Sequence, residues 1–247
     1  MTARRAIVLA AGKGTRMNSE LPKVLATVHG KTLVEHVLDA ISQAGVSHSL
    51  VVVGYREELV KKQLEDRQDV TFVSQHEQRG TGHAAQVCEP QLRQMQGPLL
   101  VVAGDSPMIQ ADSVKQLFEH FEQHQPACLL GTLQVANPEG LGRIVRDDNG
   151  RFESIVEQHD ASPEQLAISE VNMSTYLFDM CQLRAALAKL DTENSQSEYY
   201  LSDCPGILKA AGHRVEALDV LKPCEGLSIN TIEQLHEVEA EMKRMEY

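Results

Sequence analysis

The sequence predicts an α/β fold, with a parallel sheet covered by helices through its first half and an antiparallel insertion in its second. Three observations predict it. Short apolar runs alternate with helix-period patterns up to about residue 126, as expected of strands joined by crossover helices. Thr32-Leu33-Val34-Glu35 has capping-box spacing and leads into Val37, Leu38 and Ile41 before a stop at Gly45, which specifies a helix between two strands. Asp148-Asn149-Gly150 lies between the apolar runs 144–146 and 152–156, and Asn-Gly in that setting signals a hairpin.

Taken in order, strands are expected at 6–11, 50–53, 70–74 and 99–103, with further helices at 57–66, 81–95 and 112–124. Beyond the hairpin, 171–178 reads as a returning strand, 179–190 as a capped helix and 215–220 as a late strand. Residues 231–245 form a polar helix whose apolar stripe is narrow: Ile232, Leu235, Val238 and Met242. The pattern describes one domain over residues 1–247, changing character near 126 and ending in that helix.

Bulk properties narrow the function. The 23 Lys+Arg against 35 Asp+Glu give a net charge of -12, which disfavours a nucleic-acid backbone as partner and makes any anion site local. Cys88, Cys128, Cys181, Cys204 and Cys224 are an odd count without a C-x-x-C pair, so buried thiols in a reducing cytosol are expected rather than disulfides or a zinc site. Arg4-Arg5 before Ala6–Ala11 superficially resembles a secretion signal, but Lys13 and Arg16 interrupt it, and it reads as a buried first strand. No apolar run reaches the ~20 residues a membrane span needs. A cytoplasmic chain is expected.

Chemistry is concentrated in three strings. In Leu9-Ala10-Ala11-Gly12-Lys13-Gly14-Thr15-Arg16-Met17 a strand runs into a glycine turn, where backbone N–H groups can line a phosphate-sized concavity. With Lys23, this places three cations within eleven residues of an acidic chain. The string is neither a Walker loop nor a dinucleotide fingerprint, because the Gly-Lys-Ser/Thr ending is absent and Met17 stands where a third small residue belongs. An ordinary strand-to-loop connection with solvated cations is the competing explanation. In Gly104-Asp105-Ser106-Pro107, an aspartate ends a central strand, the edge where open α/β sheets bind ligands; it suits Mg²⁺ shared with phosphates, or a turn cap. Asn230 offers a neutral oxygen to the same ion, or a helix cap. In Gln75-His76-Glu77-Gln78-Arg79-Gly80-Thr81-Gly82-His83-Ala84, the Gln75 amide can pair with a base edge while Gly80, Thr81 and Gly82 admit a planar ring. A helix capped by Thr81 is the alternative. Glu157 and Asn172, with the Gly140-Leu141-Gly142-Arg143 turn, can serve a sugar or be surface polar groups.

In their order, LAAGKGTRM, LPKVL, Q-x-E-Q-x-GTGHA, GD-x-P, G-x-GRI, IVE-x-x-DA, E-x-N and EYY-x-x-D closely resemble the N-terminal uridylyltransferase domain of the bacterial bifunctional GlmU family. The resemblance extends over essentially all 247 residues. It implies a Rossmann-like nucleotidyltransferase (nucleotide-diphospho-sugar transferase) fold with a mixed, mostly parallel sheet. It also implies a nucleotide-binding half over about 1–126, a sugar-binding half over about 127–230 and a C-terminal helix. Leu9, Ala10, Gly12 and Gly14 would bind the nucleotide, with Gln75, Gly80 and Thr81 around uracil. Arg16 and Lys23 would contact the phosphates, Asp105 and Asn230 would hold Mg²⁺, and Gly104, Gly142, Glu157 and Asn172 would line the sugar site. The implied reaction is transfer of UMP from UTP to N-acetylglucosamine 1-phosphate, giving UDP-N-acetylglucosamine and pyrophosphate. Two departures fall beside the acceptor: Ala103 replaces a tyrosine, and Gln158-His159-Asp160 stands where the family has a lysine. The family's C-terminal left-handed β-helix, which carries acetyltransfer and trimerisation, has no counterpart in these residues. A related nucleotidyltransferase with another acceptor or base, such as one acting on molybdopterin, is the alternative; a noncatalytic sugar-nucleotide binder and a nicotinamide oxidoreductase are more distant ones.

Overall fold

The structure, a computed structural model, describes residues 3–14, 20–93, 95–227, 229 and 231–245. The expected roles of Arg16 and Asn230 therefore lie outside the described residues. In chain order the elements are β1 (Arg4–Ala10), β2 (Thr27–Val28), β3 (Lys31–Thr32), α1 (Leu33–Gln43), β4 (Val46–Val53), α2 (Glu57–Gln63), β5 (Val70–Ser74), α3 (Thr81–Gln86), α4 (Glu89–Leu92), β6 (Pro98–Ala103) and α5 (Ala111–His124). The second half follows with β7 (Cys128–Gln134), β8 (Gly142–Arg146), β9 (Phe152–Val156), α6 (Pro163–Leu166), β10 (Glu170–Asp179), α7 (Met180–Leu187), α8 (Asp203–Ala210), β11 (Val215–Asp219) and α9 (Ile232–Arg244).

Among the described residues, nine strands share one mixed sheet, in the order β11-β7-β10-β6-β1-β4-β5, with β8 paired to β10 and β9 to β8. Along that main path β10 alone opposes its neighbours. Helices cover both faces, so the central strands are apolar on both sides. Alternation along β1 sends Ile7 to the layer containing Ala84, Leu92, Leu183 and Cys204. Ala6, Val8 and Ala10 go to the opposite layer with Val37, Leu38, Val60 and Phe118. The expected hairpin is present, with Ile144 opposite Ile155 and a register shift after Val145.

Capping follows the sequence signals. The Thr32 backbone N–H donates to Glu35 Oε2 at 2.8 Å at the start of α1, and Asp179 Oδ1 accepts from Gln182 N at 3.0 Å at the start of α7. At the start of α9 the cap is Thr231, where the sequence offered Asn230: Thr231 Oγ1 accepts from Gln234 N at 3.3 Å. Helix α9 then docks Val238 and Met242 on a small cluster with Val28, Leu33, Met108 and Ile229, reaching the loop that follows β6.

Several expectations need correction. The single helix expected over 81–95 is two short ones, α3 and α4, because the chain turns at Val87–Cys88 and Pro90 enters in the first turn of the second. Strand β7 and helix α8 were not expected. Ile232 is 52% exposed and so leaves the apolar stripe of α9. Four cysteines are buried, with burial pushing the Cys88 thiol up to about 12, but Cys181 is exposed. Among the described residues, no helix is long and apolar enough to cross a membrane.

A buried carboxylate joins the insertion to the sheet. Glu170 on β10 accepts from Thr132 Oγ1 on β7 at 2.6 Å and from Arg146 Nε and Nη2 on β8 at 2.7 and 2.6 Å. Removing one member of a buried charged network strands the others. Glu170→Ala is therefore expected to destabilise the fold by about 3 kcal/mol in urea unfolding.

Candidate active site

A cleft of about 630 Å³ opens at the carboxyl ends of β1 and β6. Strand order explains its place. The chain passes from β1 outward to β4 and β5, then returns to place β6 on the other side of β1, which is the switch point where open α/β sheets form a crevice. Leu9 pairs with Ala103 at the ends of the two strands. The loop leaving β6 is held against β1 by the Gly104 N–H, which donates to Leu9 O at 2.8 Å. A Cβ on Gly104 would meet that same oxygen at 3.0 Å.

At one end the glycine turn faces a cation. Gly14 has φ +66°, and a Cβ there would lie 2.5 Å from Lys23 Cβ, so this glycine admits Lys23 to the cleft. Lys23 Nζ stands 2.6 Å from Asp105 Oδ2. Among the described residues, nothing lies within 4 Å of where a Cβ on Gly12 would project. Lys13 Nζ lies over the Tyr55 ring, 5.3 Å from its centroid.

The middle of the cleft is built around Gln75, which is buried. Its Nε2 donates to Gly80 O at 3.2 Å and lies 3.0 Å from His83 Nδ1; both amide hydrogens are thus taken when Nδ1 is the acceptor nitrogen, leaving Oε1 to accept. The approach expected at Gly80 and Gly82 is made by protein backbone. A Cβ on Gly80, at φ +106°, would lie 2.5 Å from Tyr199 O, and one on Gly82 would lie 2.9 Å from it. Hydrogen bonds lock this strap: Gly82 N donates to Tyr199 O at 2.8 Å, Tyr199 N to Arg79 O at 2.9 Å, and Leu201 N to Thr81 Oγ1 at 3.1 Å. Thr81 thus ties down the strap, and Gly80 holds the capping position of α3.

The far end is acidic. Ser202 Oγ donates to Glu157 Oε1 at 2.7 Å. Gly142 sits beneath that side chain, with Glu157 Oε2 at 3.3 Å from its Cβ position. Gln158 Oε1 accepts from Gly140 N at 3.1 Å and from buried Arg143 Nη2 at 2.9 Å, joining the two segments. Burial, with repulsion from Asp191, Glu157 and Asp160, pushes the Asp203 carboxyl up to about 6.

The structure thus gathers Leu9, Gly12, Gly14, Lys23, Gln75, Gly80, Thr81, Asp105, Glu157 and Asn172 around one cleft. Ala10 turns its side chain into the opposite core layer, and Gly104 and Gly142 support the walls without lining them. Residues given no role from sequence also line it: Gln78, Ser174, Tyr176 and Tyr200 with Ser202. Only the EYY-x-x-D string hinted at the last two. Among the described residues, no group of three or more His, Cys, Asp or Glu is arranged to hold a metal. A lone Asp105 completed by phosphates and water is within what Mg²⁺ accepts.

Residues 6–171 match the MobA-like NTP transferase domain family. A Bifunctional protein GlmU from Streptococcus mutans serotype c (strain ATCC 700610 / UA159) is 43% identical over 97% of this chain and 52% of its own length. Those from Shouchella clausii (strain KSM-K16) and Limosilactobacillus fermentum (strain NBRC 3956 / LMG 18251) are 42% and 45% identical, over 99% and 93% of this chain. The chain spans about half the length of these curated relatives. A solved structure of UDP-glucose pyrophosphorylase complexed with UDP-glucose superposes with a TM-score of 0.80, covering 98% of this chain and 99% of that one at 17% identity, which is a likeness of fold.

Two outcomes follow from the geometry. Gly80→Ala should cost about 2 kcal/mol through its positive φ and the Tyr199 contact, and should speed hydrogen exchange at the Gly82 and Leu201 amides that hold the strap. Asp203, with its raised pKa, contributes stability that is full below its unfolded value and lost as pH rises through about 6. Asp203→Asn should therefore exceed the parent in unfolding free energy at pH 8 by about 1 kcal/mol after solvent screening, read by urea unfolding, with the advantage gone near pH 4.

Proposed function

This chain belongs to the MobA-like NTP transferase domain family, and we propose that it transfers UMP from UTP to N-acetylglucosamine 1-phosphate, with Mg²⁺, giving UDP-N-acetylglucosamine and pyrophosphate. The observation that carries the reading is the polarity of one continuous cleft. Lys23, paired with Asp105, and the glycine turn lie in one part of the lining, and the hydrogen-bonding groups of Glu157 and Asn172 in another. Phosphates suit the first part and a neutral polyol the second. The GlmU relatives, alike over nearly the whole chain, support the same assignment. On this reading the first ~126 residues serve the nucleotide and the next hundred or so serve the sugar.

Gln75 supports uracil as the base. With its amide hydrogens committed to Gly80 and, when Nδ1 is the acceptor nitrogen, to His83, it offers an acceptor, which matches the N3–H of uracil and mismatches the bare N3 of cytosine.

The reaction needs no protein nucleophile. An oxygen of the sugar phosphate, already ionised at neutral pH, attacks the α-phosphorus of UTP, and the bond from that phosphorus to the bridging oxygen breaks to release pyrophosphate. Lys23 neutralises phosphate charge, a role shared with Arg16 on the family pattern, while Glu157 and Asn172 hold the sugar in line. Asp105, with Asn230, would hold Mg²⁺, which when bound supplies charge neutralisation on the phosphates.

A pyrophosphate-release screen across nucleoside triphosphates and sugar 1-phosphates tests the assignment. UTP with N-acetylglucosamine 1-phosphate should give the highest kcat/KM, and CTP little turnover. Asp105→Asn should lose about 100-fold in kcat with a melting temperature close to the parent. Preference for an acceptor without the acetamido group would overturn the sugar assignment, and binding without turnover would identify a noncatalytic module.

A further inference from the structure

Strand β10 is irregular where it passes the cleft. Its pairing with β7 runs through Asn172 opposite Thr132 and resumes with Thr175 opposite Gly131, leaving Met173 and Ser174 as a bulge. Ser174 has φ +52°, a conformation that costs an L side chain energy and persists only where its surroundings hold it. Asn172 does the holding. Its Oδ1 accepts from Ser174 N at 3.2 Å, which fixes which way the amide faces. Its Nδ2 then donates to the Tyr176 hydroxyl at 2.6 Å.

Tyr176 is 1% exposed, and its ring packs against Phe178 with centroids 5.8 Å apart. Burial raises its phenol far above the ordinary range, outweighing its hydrogen bonds to Asn172 and Ser174, so the hydroxyl stays protonated. A ring locked by packing therefore presents a rigid oxygen to the Asn172 amide. One Nδ2 hydrogen is committed to it, and the other is left for a ligand in the cleft that Asn172, Ser174 and Tyr176 line together.

We propose that Tyr176 is a positioning residue for the acceptor: through Asn172 and the Ser174 bulge, its hydroxyl fixes the direction of the Asn172 N–H and so sets discrimination among sugar 1-phosphates. The proposal rests on Asn172 being an acceptor contact. It follows from the general sensitivity of transfer reactions to small displacements of a positioning group.

The test is a kinetic double-mutant cycle on the full chain, using Tyr176→Phe, Asn172→Ala and the pair, with the acceptor and UTP varied separately. Tyr176→Phe should lower kcat/KM for N-acetylglucosamine 1-phosphate about tenfold, leave the KM for UTP unchanged and narrow the preference over glucose 1-phosphate. Added to Asn172→Ala, it should lower the acceptor kcat/KM no further, because both changes remove the same contact. Tyr176→Met, which fills the space without a hydroxyl, serves should the phenylalanine variant not fold. Parent-like acceptor kinetics in the Tyr176 variants, or additive losses in the pair, would overturn the proposal while an impaired Asn172→Ala keeps the acceptor reading. Parent-like kinetics in Asn172→Ala would end both.

Discussion

The candidate site depends on one pairing, the parallel alignment of β1 with β6 that sets Leu9 beside Ala103. Two loops distant in sequence leave the sheet there as neighbours. One carries the glycine turn, and the other carries Asp105. Gly104 seals the junction because its N–H reaches Leu9 O at 2.8 Å, where a side chain would crowd that oxygen. Gly14 then lets Lys23 come within 2.6 Å of Asp105. A different neighbour for β1 would separate the cation from the carboxylate, whatever the intervening residues were.

The rest of the cleft answers the electrostatic problem set by a chain of net charge -12. A polyphosphate approaches such a protein against its long-range field, so favourable charge must be local and held in place. Lys23 is held in place by Asp105 at 2.6 Å. Glu157, Asp160, Asp191 and Asp203 lie close enough together to raise Asp203. That crowding would disfavour a phosphate there more than a neutral polyol. The strap from Tyr199 to Ser202 links the two regions, since its backbone holds Gly82 and Thr81 while Ser202 holds Glu157.

Much of this was legible in the sequence because local signals agreed with the global fold. The strands at the centre read as apolar runs since both faces are covered, and Thr32 and Asp179 cap helices as their spacing indicates. Strand β7 escaped because it is buried on both faces without alternation, and Gly131 in its interior weakens the β signal. The close approach required at Gly80 and Gly82 was legible, but its partner was not. Tyr199 arrives from a polar stretch more than a hundred residues away, with no periodicity to place it. Tyr176 was hidden for the opposite reason: in sequence it is an ordinary strand aromatic, and only the bulge at Ser174 brings Asn172 back to its hydroxyl.

The central claim is that the nucleotide phosphates and their metal sit at the switch point between β1 and β6. Paramagnetic broadening measures this most directly, with Mn²⁺ and a non-hydrolysable UTP analogue added to ¹⁵N-labelled protein. The account predicts broadening centred on the amides of Ala11 to Gly14, Lys23 and Gly104 to Ser106, with the separate cavity lined by His29, His36, Asp39 and Asp112 unaffected. Broadening centred on that second cavity, with the amides around Gly12 and Asp105 left sharp, would contradict it.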